Sequence, residues 1–224
     1  MMTRFVLIIL LLFSFNLSAQ YSITGGINGL KCFGGANSFG GFGLGIEMPK
    51  DNEETFYVRM NFYGKRKLDP VNGQASITLD NIDKNDYTIM SVLGDSYLNY
   101  TTIDGGTRYY LFDGYDSGFG LYGGSNVIGV INQAKVKLQD YDQTKYRIPS
   151  GLSLTGTVLS LAVGFNGGAK YTFPGVGAIF LDANINYLLL MLPSNDVAKM
   201  ITPKFTNNSP LLFTFNIGFR KDFY

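Results

Sequence analysis

The chain has no histidine and a single cysteine, Cys32. Without histidine, the side chain most often used for general acid–base chemistry at neutral pH is missing. One cysteine cannot form an internal disulfide, and no Cys/His cluster exists to hold zinc, haem or an iron–sulfur centre, so neither a metal nor another cofactor is expected. Cys32 is expected as an unpaired thiol in a loop. Charge is sparse and balanced, with 18 Lys and Arg against 17 Asp and Glu. That balance gives no electrostatic footprint for nucleic acid. Long apolar runs are missing too. The stretch from Phe5 to Phe13 has about nine apolar residues against the roughly 20 needed by a spanning helix. It follows Arg4 and leads into Asn16-Leu17-Ser18-Ala19-Gln20, the build of a cleavable export signal with the small Ala19 beside the cut. No cysteine follows that run closely, so a lipid-anchored start is not expected. Residues 1–20 are read as the leader and 21–224 as one domain, a length of about 200 residues that suits a single all-β unit.

What the sequence has instead is alternation. Phe42, Leu44, Ile46 and Met48 alternate with Gly41, Gly43, Gly45 and Glu47. Glycines at every second position with no helix-like segment after them form a strand, not a phosphate-binding loop. Phe56, Val58, Met60 and Phe62 alternate with Tyr57, Arg59, Asn61 and Tyr63 beyond the turn at Pro49, which makes a hairpin. The same period of two recurs around Ile103 to Leu111, Phe119 to Val127, Leu159 to Phe173, Ile179 to Tyr187 and Leu211 to Phe219. Glycine, at 28 residues, and frequent Phe and Tyr suit curved strands with broad aromatic surfaces.

The strands number about eight, each near the ten residues that cross a bilayer when tilted. Connections alternate in length. Tight turns fall at Pro49, Asp113 and Pro174, and long links follow Ile27, Gly64, Ile131 and Met191. The longest are a polar stretch of about 33 residues from Lys65 to Tyr97 and one of about 20 from Gln133 to Gly151. Within the first, Ala75 to Leu79 and Tyr87 to Leu93 are strand-like and can pair as a hairpin beyond the main sheet. Alternation alone does not say which face meets water. A soluble lipocalin-like barrel turns its apolar face inward, whereas a membrane barrel turns it to lipid. The polar set is small, rich in Gly, Ser, Asn and Ala, and fits a narrow interior; the apolar set is large and would overfill it. Aromatics also gather at strand ends, with Phe56, Phe119, Phe173 and Phe223 toward the turns and Phe42, Phe62, Tyr187 and Phe213 toward the loops, as an interfacial girdle requires.

The leader, the amphipathic strands, the alternating connections and the final strand Leu211 to Tyr224, closing on Phe223-Tyr224, resemble the small eight-stranded outer-membrane β-barrel family of the OmpA transmembrane domain, OmpX and PorT-like proteins. The resemblance implies an all-β fold, a closed antiparallel transmembrane β-barrel of about eight strands in meander order, in the outer membrane of a Gram-negative bacterium. It implies outer-membrane lipid and lipopolysaccharide as surroundings. It also implies recognition of the closing strand by the barrel assembly machinery, with Phe219, Phe223 and Tyr224 as the signal. The role expected is non-enzymatic, structural or surface-interacting through long extracellular loops, with the extracellular partner unnamed. A narrow channel for small solutes and a secretion-associated barrel are the alternatives, and the soluble lipocalin-like ligand carrier is a third.

Two sets of residues carry the functional expectation. The inward positions collect Arg59, Arg108, Lys170 and Arg220 against Glu47, Asp104, Asp182 and Asp222, as many acids as bases. Charges in a narrow lumen must pair, because an unpaired buried ion is costly. They therefore form either a bracing network or a selectivity gate, and Asp104 with Asp182 are the residues a carboxylate-only enzyme would use. The second set is basic: Lys65, Arg66 and Lys67 beside Tyr63, and Lys135, Lys137, Lys145 and Arg147. These either meet lipopolysaccharide phosphates or form a solvated loop surface.

Overall fold

The structure is a computed structural model that describes residues 20–32, 38–68, 74–83, 89–112, 114–116, 118–199 and 209–223. The leader, apart from Gln20, and Tyr224 lie outside the described residues. The strands are β1 (Tyr21–Cys32), β2 (Ser38–Pro49), β3 (Glu54–Lys67), β4 (Gln74–Asn81), β5 (Met90–Phe112), β6 (Gly118–Leu138), β7 (Tyr146–Arg147), β8 (Thr155–Phe173), β9 (Gly177–Pro193) and β10 (Leu211–Phe223).

Alternation decides the architecture. On β2, Leu44 is 58% exposed while Glu47 is 1% exposed. The outside of the sheet is apolar, and charge is inside. An arrangement of that kind has no soluble solution, and the lipocalin-like alternative, with its apolar face inward, is overturned by it. Of the ten strands among the described residues, β4 and β7 stand outside the ring, which leaves eight in the antiparallel order β3-β2-β1-β10-β9-β8-β6-β5, with β3 pairing β5 to close it. Ring neighbours follow one another along the chain, as in a meander. The closing seam joins the first strand to the last, from Tyr21↔Phe223 to Cys32↔Leu212. A closed ring leaves no edge strand unpaired, which is what an apolar solvent demands of a sheet.

One end of the barrel has tight turns. Between β2 and β3, Asp51 Oδ1 accepts from the backbone N–H of Glu53 at 2.9 Å and of Glu54 at 2.7 Å. Those two donors hold its carboxyl below the ordinary carboxylate range. Gly114, at φ +70°, lets the β5–β6 turn lie against Asn52, where a Cβ would strike the Asn52 carbonyl.

The other end differs from expectation. β5 runs for 23 residues, β6 for 21, β8 for 19 and β9 for 17, far beyond the ten or so that cross a bilayer. The strand-like pieces expected in the first polar stretch do pair beyond the main sheet, β4 with β5 from Gln74↔Asp95 to Leu79↔Met90, while the second stretch, expected as a loop from Gln133, begins instead as sheet, with β6 continuing to Leu138. The physical reason is a second core. Ile77, Leu79 and Val92 are buried beneath Tyr141, Tyr146, Ile148, Leu152 and Leu154 of the β6–β8 connection. Spaced apolar residues in an otherwise polar segment fold that connection back over the extended sheet. Cys32 is likewise not in a loop. It is the last residue of β1 and 1% exposed, because Asn28, Leu30 and Cys32 continue the inward alternation.

A candidate functional site in the barrel lumen

The inward charges meet at mid-barrel. Arg59 on β3 donates through Nη2 to Asp104 Oδ2 at 2.9 Å and through Nη1 to Asp182 Oδ2 at 2.6 Å. Arg108 on β5 donates through Nη1 to Glu47 Oε2 at 2.6 Å and through Nη2 to the same Asp182 oxygen at 2.8 Å. β9, which carries Asp182, lies four places from β3 in a ring of eight. The Arg59–Asp182 pair therefore runs wall to opposite wall. All five side chains are almost fully buried, so each remaining lone pair needs a donor.

Neutral neighbours supply them. Thr55 Oγ1 and Tyr110 OH donate to Glu47 Oε1 at 2.7 and 2.6 Å, Asn61 Nδ2 donates to Asp104 Oδ1 at 3.0 Å, and Tyr122 OH donates to Asp182 Oδ1. The Arg108 guanidinium also lies 4.3 Å from the Tyr57 ring centre and 4.9 Å from that of Tyr122, within cation–π range. Space for the network comes from β2. A Cβ on Gly43 would run into the Asn61 and Asn28 amides, and one on Gly45 into Arg59. Gly43 and Gly45 are thus part of the wall against which these side chains lie.

A second cluster closes the turn end. Tyr115, from the β5–β6 turn, is 1% exposed. Its backbone N–H donates to the Asn52 carbonyl at 2.9 Å. Arg220 donates through Nη2 to the Tyr115 carbonyl at 2.8 Å, stacks its Cζ 3.8 Å from the ring centre, and pairs with Asp222 at 2.9 Å. The Tyr115 hydroxyl meets Ser22 Oγ, which donates to Asp222 Oδ1 at 2.6 Å. Lys170 is buried on β8 and donates to the Gly118 carbonyl at 3.2 Å and to Thr172 Oγ1 at 3.0 Å.

Above the charges the lumen turns first to amides and then to hydrocarbon. Asn28 donates to Asn61 Oδ1 at 2.6 Å, Asn184 to Thr214 Oγ1 at 2.7 Å and Asn132 to the Tyr100 hydroxyl at 2.9 Å. Leu30, Phe39, Leu98, Tyr100, Ile128 and Leu212, from strands around the ring, then pack into one apolar cluster with Val197 of the helical turn at 196–199. A cavity beside Arg59 and Asn216 measures about 10 Å³, room for about one water molecule.

Of the residues expected in the lumen, the structure joins Glu47, Arg59, Asp104, Arg108 and Asp182 in one network and Arg220 with Asp222 in another. Phe219 and Phe223 face outward, where Phe223 stacks on Tyr21 across the seam at 5.3 Å. Tyr57, Tyr110 and Tyr122 stand at inward positions of the alternation but are not among the expected site residues, and neither are the inserted Tyr115 and the apolar cluster. The cluster does leave a trace. In Val127-Ile128-Gly129-Val130-Ile131 both faces are apolar, the mark of a strand buried on both sides.

A closed eight-stranded antiparallel barrel, apolar outside and ion-paired within, is the fold of the small outer-membrane β-barrels. Among solved structures, the chain is similar to Neisserial surface protein A, with 15% identity, a TM-score of 0.50 and coverage of 92% of this chain and 98% of that one. It is also similar to a major outer membrane protein from Thermus thermophilus, with 11% identity, a TM-score of 0.50 and coverage of 92% of this chain and 100% of that one. No family model and no curated protein matches the sequence.

Proposed function

We propose that the chain is an integral outer-membrane protein of a Gram-negative bacterium, non-enzymatic, whose barrel is a sealed anchor and whose activity resides on the extended sheet and connections at its long-strand end, outside the cell. The observation that carries this reading is the ion pair from Arg59 to Asp182 between opposite walls, with hydrocarbon filling the lumen above it. A barrel blocked by buried pairs has no aqueous path, and eight strands leave little interior beyond their own side chains. The carboxylates a histidine-free enzyme would use are engaged: Asp104 by Arg59 and Asn61, and Asp182 by Arg59, Arg108 and Tyr122. That supports a role without catalysis.

Two measurements test it. On fractionation of its native cells the protein should appear in the outer membrane and resist carbonate extraction; recovery in the soluble periplasm would sink the membrane reading. Reconstituted in a planar bilayer, the wild-type chain should show no steady conductance. A steady ion-selective current that changes on substitution of Arg59 or Arg108 would make the network a gate and the narrow channel the better reading.

A further inference from the structure

On the outer wall, backbone pairing lines up Phe62, Thr101, Ile131, Leu159 and Leu192 across five strands as the last mainly apolar row. Two residues further along each strand, a rise of about 7 Å, the outward positions become Asn99, Gln133 and Thr157. After another such step they are Lys67, Tyr97, Lys135 and Thr155. A groove of about 420 Å³ opens at this transition, lined by Lys65, Lys135, Asn99, Gln133, Thr155 and Thr157 among others. The β-bulge between Tyr63 and Arg66 brings Lys65 into it, and the Lys65 ammonium rests 4.7 Å from the Tyr97 ring centre.

The charges in the groove are unequal in their partners. Lys67 just outside it is paired with Asp95 at 2.7 Å, whereas Lys65 and Lys135 form no ion pair among the described residues. Asn99 Nδ2 donates to Gln133 Oε1 at 3.2 Å, which leaves Asn99 Oδ1 and Gln133 Nε2, without a partner among the described residues, for a ligand. Two cations without counter-charge, flanked by amides and hydroxyls and set directly above hydrocarbon, match an amphiphile with an anionic, hydroxyl-rich head.

We propose that this groove binds the phosphorylated sugar headgroup of an outer-leaflet glycolipid, with Lys65 and Lys135 on the phosphate and the acyl chains lying along Ile131, Leu159, Leu161 and Leu192. The proposal rests on the membrane reading above. The amides and threonine hydroxyls meet the sugar, and the apolar rows fix the height of the head, so recognition requires both parts of the lipid at once.

The test uses the purified, folded chain in detergent, so it is independent of the cell fractionation that tests the membrane reading. Native mass spectrometry would follow titration with a diphosphorylated glycolipid, the same lipid dephosphorylated, and inorganic phosphate. The diphosphorylated lipid should bind on the order of tenfold more tightly than its dephosphorylated form, a difference of about 1.4 kcal/mol. The double variant Lys65→Gln/Lys135→Gln should abolish that difference, Lys135→Glu alone should reduce it, and Lys221→Gln at the turn end should leave it intact. All these side chains are on the surface, and retained heat-resistant mobility in gels confirms the fold of each variant. Equal binding of the two lipids would reduce the groove to an acyl contact and overturn the proposal. Persistence of the preference in the double variant, or competition by inorganic phosphate at concentrations equal to the lipid, would overturn it too.

Discussion

Asp182→Ala is expected to destabilise the barrel by about 3–5 kcal/mol. One carboxylate oxygen accepts from both Arg59 and Arg108, and the other accepts from Tyr122. Its removal leaves two guanidiniums side by side in an interior where Asp182 itself is 1% exposed, with Asp104 and Glu47 as their remaining partners. Arg59 keeps Asp104 and Arg108 keeps Glu47, so the cost is that of three buried donors, one N–H on each guanidinium and the Tyr122 hydroxyl, left without an acceptor, at about 1–3 kcal/mol each. Asp182→Asn keeps an acceptor of the same shape and should lose less. Equilibrium unfolding in urea in lipid vesicles, read by tyrosine fluorescence or by gel mobility, would give both values. The exposed Asp196, paired with Lys199 on the surface, serves as control, since such pairs contribute about 0–1 kcal/mol. If Asp182→Ala unfolded within about 1 kcal/mol of wild type, the centre of the lumen would have to be hydrated, and the bracing role of the network would fail.

The second large effect belongs to the turn end. Tyr115→Ala removes a ring that is fully inside the barrel mouth, and truncation of a buried aromatic costs about 3–5 kcal/mol. Arg220→Ala should cost about 3 kcal/mol, since it leaves Asp222 without its cation. These losses should not add. The guanidinium lies on the ring and also donates to the Tyr115 carbonyl, so a double-mutant cycle should show a coupling of about 1 kcal/mol or more. A coupling near zero would mean that the turn and the seam are held independently, and that Tyr115 is packing rather than a clasp.

The ring of strands, its antiparallel order and the direction of each face were legible in the sequence, because all three follow from a period of two repeated along the chain. The charge set was legible for the same reason. Glu47, Arg59, Asp104, Arg108 and Asp182 occupy inward register positions, and burial then forces them to find each other. Which acid meets which base was not legible: Arg59 reaches across to β9 as well as to its neighbour β5, a choice made by side-chain length and strand stagger. Tyr115 was hidden because a turn residue has no alternation to betray where it points. The extended sheet was hidden in part by composition. Ala75 to Leu79 still showed as strand, but the end of β6 carries enough Gln, Asn and Lys to pass for a loop, and the cover that the β6–β8 connection gives Ile77 and Leu79 shows only once Tyr141 and Leu152 fold back on them.

The seam between β1 and β10 has a kinetic side. Every other ring pairing joins strands that follow one another along the chain or are separated only by the inserts β4 and β7, so each can form soon after its neighbour. Tyr21 and Phe223 must instead meet across nearly the whole length of the polypeptide, an entropic cost on the order of 5 kcal/mol before any contact rewards it. Contact order thus places this seam last. Until it forms, β1 and β10 are two bare edges of a sheet whose outer face is already hydrocarbon, the arrangement most prone to pair with the wrong strand. The hazardous interval in the life of this protein is the one between the last hairpin and closure, and its length is set by how quickly two distant strands find one another.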